Sequence, residues 1–70
     1  MKKTFKLEDL DCANCAAAME RGIQALDGVN SATVNFMAMK LILDADDAKF
    51  DQILKEADKV AKKYDTTIVR

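Results

Sequence analysis

An α+β sandwich, with two helices on one face of a four-stranded antiparallel sheet, is the fold class this sequence predicts. Three observations predict it. Apolar and polar residues alternate over short stretches, apolar residues recur at helical spacing over two longer ones, and the segments follow one another as β-α-β-β-α-β. The chain has 70 residues, 50% of them hydrophobic, which is enough for one domain spanning 1–70. A core of that size leaves only about 3–5 kcal/mol of net stability.

Thr4-Phe5-Lys6-Leu7-Glu8 places Phe5 and Leu7 on one side, the period-two pattern of a half-buried first strand. From Asn14 to Asp27 the period lengthens. Ala16, Met19, Ile23 and Leu26 share one helical face while Glu20, Arg21, Gln24 and Asp27 face away. Gly28 follows the last periodic residue and suits a left-handed C-cap. Val29 to Phe36 alternates through Ala32, Val34 and Phe36, and Met39 to Leu43 alternates through Leu41 and Leu43. The short connection around Met37 and Ala38 requires a hairpin, hence antiparallel strands. Asp44-Ala45-Asp46-Asp47 supplies N-cap residues for a second helix. That helix carries Phe50, Ile53, Leu54, Ala57, Val60 and Ala61 inward, with Lys59, Lys62 and Lys63 near its end. Thr66-Thr67-Ile68-Val69 is β-branched throughout and makes a last strand, at an edge or beside the first. The order is the ferredoxin-like one.

Composition excludes several functions. Eleven Lys and Arg against twelve Asp and Glu leave a formal charge of −1 without a basic block, so nucleic acid is not an expected partner. No apolar run approaches the ~20 residues that cross a bilayer, and Met1-Lys2-Lys3 opens no signal-peptide pattern. A cytosolic chain without direct membrane insertion is expected.

Chemistry is concentrated in Asp9-Leu10-Asp11-Cys12-Ala13-Asn14-Cys15, which holds both cysteines of a chain without histidine, tryptophan or proline. Cys12 is expected in the loop after the first strand and Cys15 in the first turn of the first helix. There, free N–H groups and the helix dipole favour thiolates, and the spacing lets both sulfurs converge on one ion. A closed structural zinc site or an iron–sulfur cluster needs four ligands, and no second pair exists. A thiol-disulfide oxidoreductase uses the same spacing but belongs to a longer fold with a cis-proline. Inert packing suits Cys15 better than Cys12. The residues favour an open, exchangeable two-thiolate metal site, with redox chemistry and packing as alternatives.

Leu10-Asp11-Cys12-Ala13-Asn14-Cys15-Ala16, then Met19, Gly28-Val29 and Val34-Asn35-Phe36, resembles the heavy-metal-associated domain family over Lys3 to Val69. That family comprises small metallochaperones and the N-terminal domains of metal-exporting P-type ATPases. The resemblance implies Cys12 and Cys15 as metal ligands, and no enzymatic activity in the domain itself. It implies transfer by associative exchange during transient docking to the ATPase membrane domain or another metal-binding domain. A monomer, or a metal-bridged dimer, is the matching state. Two departures stand out. The family's glycine and methionine ahead of the first cysteine are Asp9 and Leu10 here, with Leu10 still able to fill the pocket beneath the loop. A glycine in the last loop is Lys63, while Tyr64 keeps the aromatic that packs near the cysteines.

Metal choice turns on Asp11. Cu(I) is content with two thiolates, whereas Zn(II), Cd(II) and Pb(II) take three or four ligands and accept carboxylate oxygen. Asp-Cys-x-x-Cys is similar to the zinc, cadmium and lead branch of the family, which makes Asp11 the candidate third ligand. Its alternative roles are helix capping or solvation in the loop. Asp9 reads as a solvated carboxylate, Met37 and Met39 as packing or exposed turn residues, and the lysines near the second helix's end as a solvated surface or a docking patch. The expectation is a soft divalent metal domain from an exporting ATPase. A free-standing Cu(I) metallochaperone is the alternative, and a regulatory sensor lacks an obvious moving part.

Overall fold

In the computed structural model, residues 1–69 are described. Strands β1 (Lys2–Glu8), β2 (Val29–Asn35), β3 (Lys40–Ala45) and β4 (Thr67–Val69) form one antiparallel sheet in the order β2-β3-β1-β4. Helices α1 (Ala13–Gln24) and α2 (Phe50–Lys62) cover one face. The expected fold class stands, and β4 is both an edge strand and the neighbour of β1.

Alternation decides which face each strand buries. Phe5 and Leu7 on β1, and Leu41, Leu43 and Ala45 on β3, are buried beneath Met19, Ile23, Ala57 and Ala61 of the helices. Each buried aliphatic side chain contributes roughly 1.5–3 kcal/mol, which supports helices too short to persist alone in water. Phe5 and Phe50 meet at 6.3 Å between ring centroids, and Lys3 Nζ stands 5.9 Å over Phe50. The helices approach closely at Gly22, where a Cβ would come within 3.0 Å of Val60 Cγ1.

Several boundaries differ from expectation, three of them with consequences for packing. Helix α1 ends at Gln24 rather than Asp27, and Ala25 caps it in a right-handed conformation. Two tight turns follow, Leu26 N–H to Ile23 O and Val29 N–H to Leu26 O. The chain reverses there so that the Gln24 amide can reach Ala32 O, eight residues on. Gly28 therefore does not cap the helix. It has φ of 92° at the entry to β2, and a Cβ there would meet Ile53 Cδ1 at 2.9 Å.

Strand β3 continues to Ala45 instead of stopping at Leu43, because Ala45 is a fully buried third member of the inward series. Its N–H donates to Met1 O at 2.9 Å. The N-cap role then falls to Asp46, whose Oδ1 accepts from Ala48 N–H at 3.1 Å, and a 3₁₀ turn over Asp47–Lys49 leads into α2. Finally, Phe36 lies in the β2–β3 turn, where its carbonyl accepts from Met39 N–H at 3.3 Å.

Candidate metal centre

Cys12 itself is the N-cap of α1. Its backbone is extended (φ −135°, ψ 119°), its carbonyl accepts the first helical bond from Ala16 N–H at 3.0 Å, and its Sγ accepts from Cys15 N–H at 3.3 Å. A sulfur acceptor in this position satisfies one of the helix's orphan donors, as an N-cap oxygen ordinarily does. Cys15 follows in the first turn, so both sulfurs stand at one helix start, both thiols free and both side chains half-buried. The capping role considered for Asp11 belongs to Cys12, and Asp11 is exposed in the loop.

The expected pair of activated thiolates divides into unlike partners. Donation from the Cys15 thiol holds the Cys12 thiol below the ordinary cysteine range, with help from the N–H groups of Cys15 and Asn14 and against burial and the Asp11 charge. Cys15 is pushed up because its proton is shared with Cys12, then by burial and by the charges of Cys12, Asp11 and Asp65. Thiolate is the nucleophile. Alkylation by iodoacetamide at rising pH, followed by peptide mass mapping, is therefore expected to label Cys12 first and Cys15 only at higher pH. Equal rates at both sulfurs would refute this asymmetry.

Three loops meet beside the sulfurs. Asp9, Leu10 and Asp11 after β1, Met39 from the hairpin, and Lys63, Tyr64 and Asp65 after α2 line one open depression with Cys15. Leu10 is buried beneath the loop, as expected, and Tyr64 stands at the site. Asp9, Met39 and Asp65 are the described non-glycine residues with positive φ, at 65°, 55° and 56°. All three line this depression. Left-handed backbone is costly for residues other than glycine, least so for Asp and Asn, and such conformations gather at ligand sites.

At Asp65 the conformation has a local cause. Thr66 N–H returns to Ala61 O at 3.0 Å, closing α2 in a Schellman-type turn that needs a left-handed residue just before it. Thr66, the buried polar residue among those described, donates its hydroxyl to Tyr64 O at 3.2 Å.

Sequence reasoning did not select Asp65 or place Lys63 at the site. The signal was their adjacency to Tyr64, which the family resemblance already implied to pack near the cysteines. Met39 lines the depression half-buried, whereas Met37 is 90% exposed at the hairpin, matching the packing and turn readings. Among the described residues no three His, Cys, Asp or Glu side chains converge. A set of two thiolates and one carboxylate therefore requires Asp11 to turn toward the sulfurs. Its charge already acts on both thiols.

Comparison with known proteins bears on this geometry. A family model described as the heavy-metal-associated domain matches residues 4–65. The chain is 34% identical over 65 residues to the cadmium, zinc and cobalt-transporting ATPase of Bacillus subtilis, covering 93% of this chain and 9% of that protein. It is 37% identical over 57 residues to the zinc/cadmium/lead-transporting P-type ATPase of Escherichia coli, covering 77% and 8%. The chain thus spans less than a tenth of the length of these curated relatives. Among solved structures, the CopZ metallochaperone superposes with a TM-score of 0.80 at 23% identity over 99% of this chain and 100% of that one. The ZiaAN sub mutant gives 0.79 at 22% identity over 99% and 94%. At such identities the likeness concerns the fold. No helix among the described residues is long and apolar enough to cross a membrane.

Proposed function

The chain belongs to the heavy-metal-associated domain family, and from that membership we propose that it carries a soft divalent ion, Cd(II), Zn(II) or Pb(II). The ligands are Cys12, Cys15 and Asp11. The observation that carries this reading is the exposed Asp11 carboxylate directly before two sulfurs whose protonation it influences. A third, hard oxygen donor suits the divalent ions and adds unneeded charge and crowding to linear Cu(I). Relatives named for cadmium, zinc and lead transport support the same choice.

The ion is cargo, and the domain passes it on without catalysing a reaction of its own. An acceptor's thiolates add to the ion while Cys12 and Cys15 leave one at a time, so no free ion is released. The open coordination makes this exchange possible, since a closed four-ligand site would have to break before a partner could enter. The parent protein is then an ATP-driven exporter, with this domain on its cytosolic side docking transiently to the membrane domain or to another metal-binding domain. A second reading, a Cu(I) metallochaperone, is favoured by one specific observation. The two thiols share a hydrogen bond, while among the described residues no third donor converges on them.

An anaerobic titration of the reduced chain separates the two readings, with thiolate-to-metal charge-transfer absorption as the signal. Asp11→Ala is expected to weaken Cd(II) at least on the order of tenfold, the scale on which groups around a metal tune it, and to leave Cu(I) unchanged or tighter. Cd(II) binding indifferent to Asp11, together with preference for Cu(I) in direct competition, would transfer the assignment to the chaperone reading.

A further inference from the structure

The edge strand β2 lacks the charged residues and proline that guard many exposed strands. It lies at one margin of the sheet, and its sequence, VNSATVN, contains no charged residue and no proline. A bare edge offers unpaired N–H and C=O groups to any extended segment, and proteins block it with charges, proline, bulges, short length or cover. The opposite edge, β4, is short, at 3 residues.

On β2 the cover comes from α1. Glu20 Oε1 accepts from Val34 N–H at 2.7 Å, and Gln24 Nε2 donates to Ala32 O at 2.7 Å. Ala32 and Val34 flank Thr33, so these are the donor and acceptor that an added antiparallel strand would engage together. The ends of β2 are disposed of separately. A register shift between Val29 and Ser31 distorts its start, and Asn35 turns its Oδ1 onto Ala38 N–H at 3.0 Å. Among the described residues, only the middle of β2 is closed by side chains from another element.

We infer that Glu20 and Gln24 form a latch that keeps this chain monomeric. They occupy the edge groups through which β2 would otherwise pair with β2 of a second copy. A second copy is the matching occupant because a twofold axis at Thr33 sets Ala32 O of each chain against Val34 N–H of the other, a self-complementary contact. Two uncharged strands meet there without like-charge repulsion, and such segments are the ones that self-associate when uncovered.

The test is sedimentation velocity over a wide concentration range with the full chain. The double variant Glu20→Ala/Gln24→Ala is expected to dimerise reversibly, at least roughly tenfold more tightly than the native chain, as release of two edge groups predicts. Glu20→Gln, which keeps an acceptor oxygen, is expected to remain monomeric. Adding Thr33→Lys to the double variant should restore the monomer, since two lysines then face each other across the axis. A double variant that stays folded and monomeric overturns the latch, as does a dimer indifferent to Thr33→Lys. Should the double variant not fold, amide exchange in the native chain decides. Val34 N–H is expected to be as protected as the amides between β1 and β3, and exchange at the rate of an open edge overturns the inference.

Discussion

Cys12→Ser is expected to abolish soft-metal binding while leaving the fold intact, whereas Cys12→Ala removes both the ligand and the start of the helix. The two outcomes differ because Cys12 has two roles that chemistry can separate. Its sulfur accepts Cys15 N–H and so caps α1, and serine oxygen is among the preferred N-cap acceptors. Serine has no comparable affinity for Cd(II) or Cu(I), because an alkoxide is not available near neutral pH and oxygen is the harder donor. Loss of a thiolate should lower metal affinity by more than the ~10- to 100-fold that supporting groups contribute. Cys12→Ser should therefore show no charge-transfer absorption and an unchanged or raised melting temperature. Cys12→Ala should show no absorption and a lowered one. Cd(II) bound by Cys12→Ser with near-native affinity would remove Cys12 from the site altogether.

Much of this architecture is legible in the chain, for identifiable reasons. Phe5 and Leu7 alternate with polar neighbours, and Ile53, Leu54 and Ala57 recur at helical spacing, because one-sided burial imposes those periods. Cys12 and Cys15 are legible because proximity in sequence and in space coincide within one helical turn. What escapes is governed by contacts between distant segments. Ala45 looks like part of an acidic cap because alanine carries little apolar signal, yet its register opposite Val29 makes it core. The end of α1 escapes because Gln24 is committed to Ala32 by a bond across the following turn.

Asp65 shows the same limit at the site. Its residue type suggests a solvated loop, and only the closure of α2 against Ala61 brings it beside Cys15. The unlike protonation of the two thiols is hidden for a related reason. Sequence places both at a helix start, but only geometry assigns Cys12 the acceptor role and Cys15 the shared proton.

Leu43→Ala is expected to unfold most of the metal-free chain, while Ile42→Ala, one residue away, leaves it folded. Leu43 is fully buried on β3, opposite Ala32 of β2 and Lys3 of β1. Truncating such a leucine costs about 2–5 kcal/mol through lost burial and the cavity left behind. That is comparable with the entire ~3–5 kcal/mol available to a core of this size. Ile42 points to the opposite face of the sheet and is only half-buried, so its truncation should cost about 1 kcal/mol or less. Circular dichroism melting without metal reads both. Metal ties this loss back to the site. An ion held only by the folded chain restores about 2.7 kcal/mol at a free concentration of 100 times Kd. Leu43→Ala should therefore regain helical signal on titration with Cd(II), and Leu43→Ala combined with Cys12→Ser should not. Recovery in the double variant would mean that metal stabilises the chain somewhere other than at Cys12, and a well-folded Leu43→Ala would remove β3 from the centre of the core.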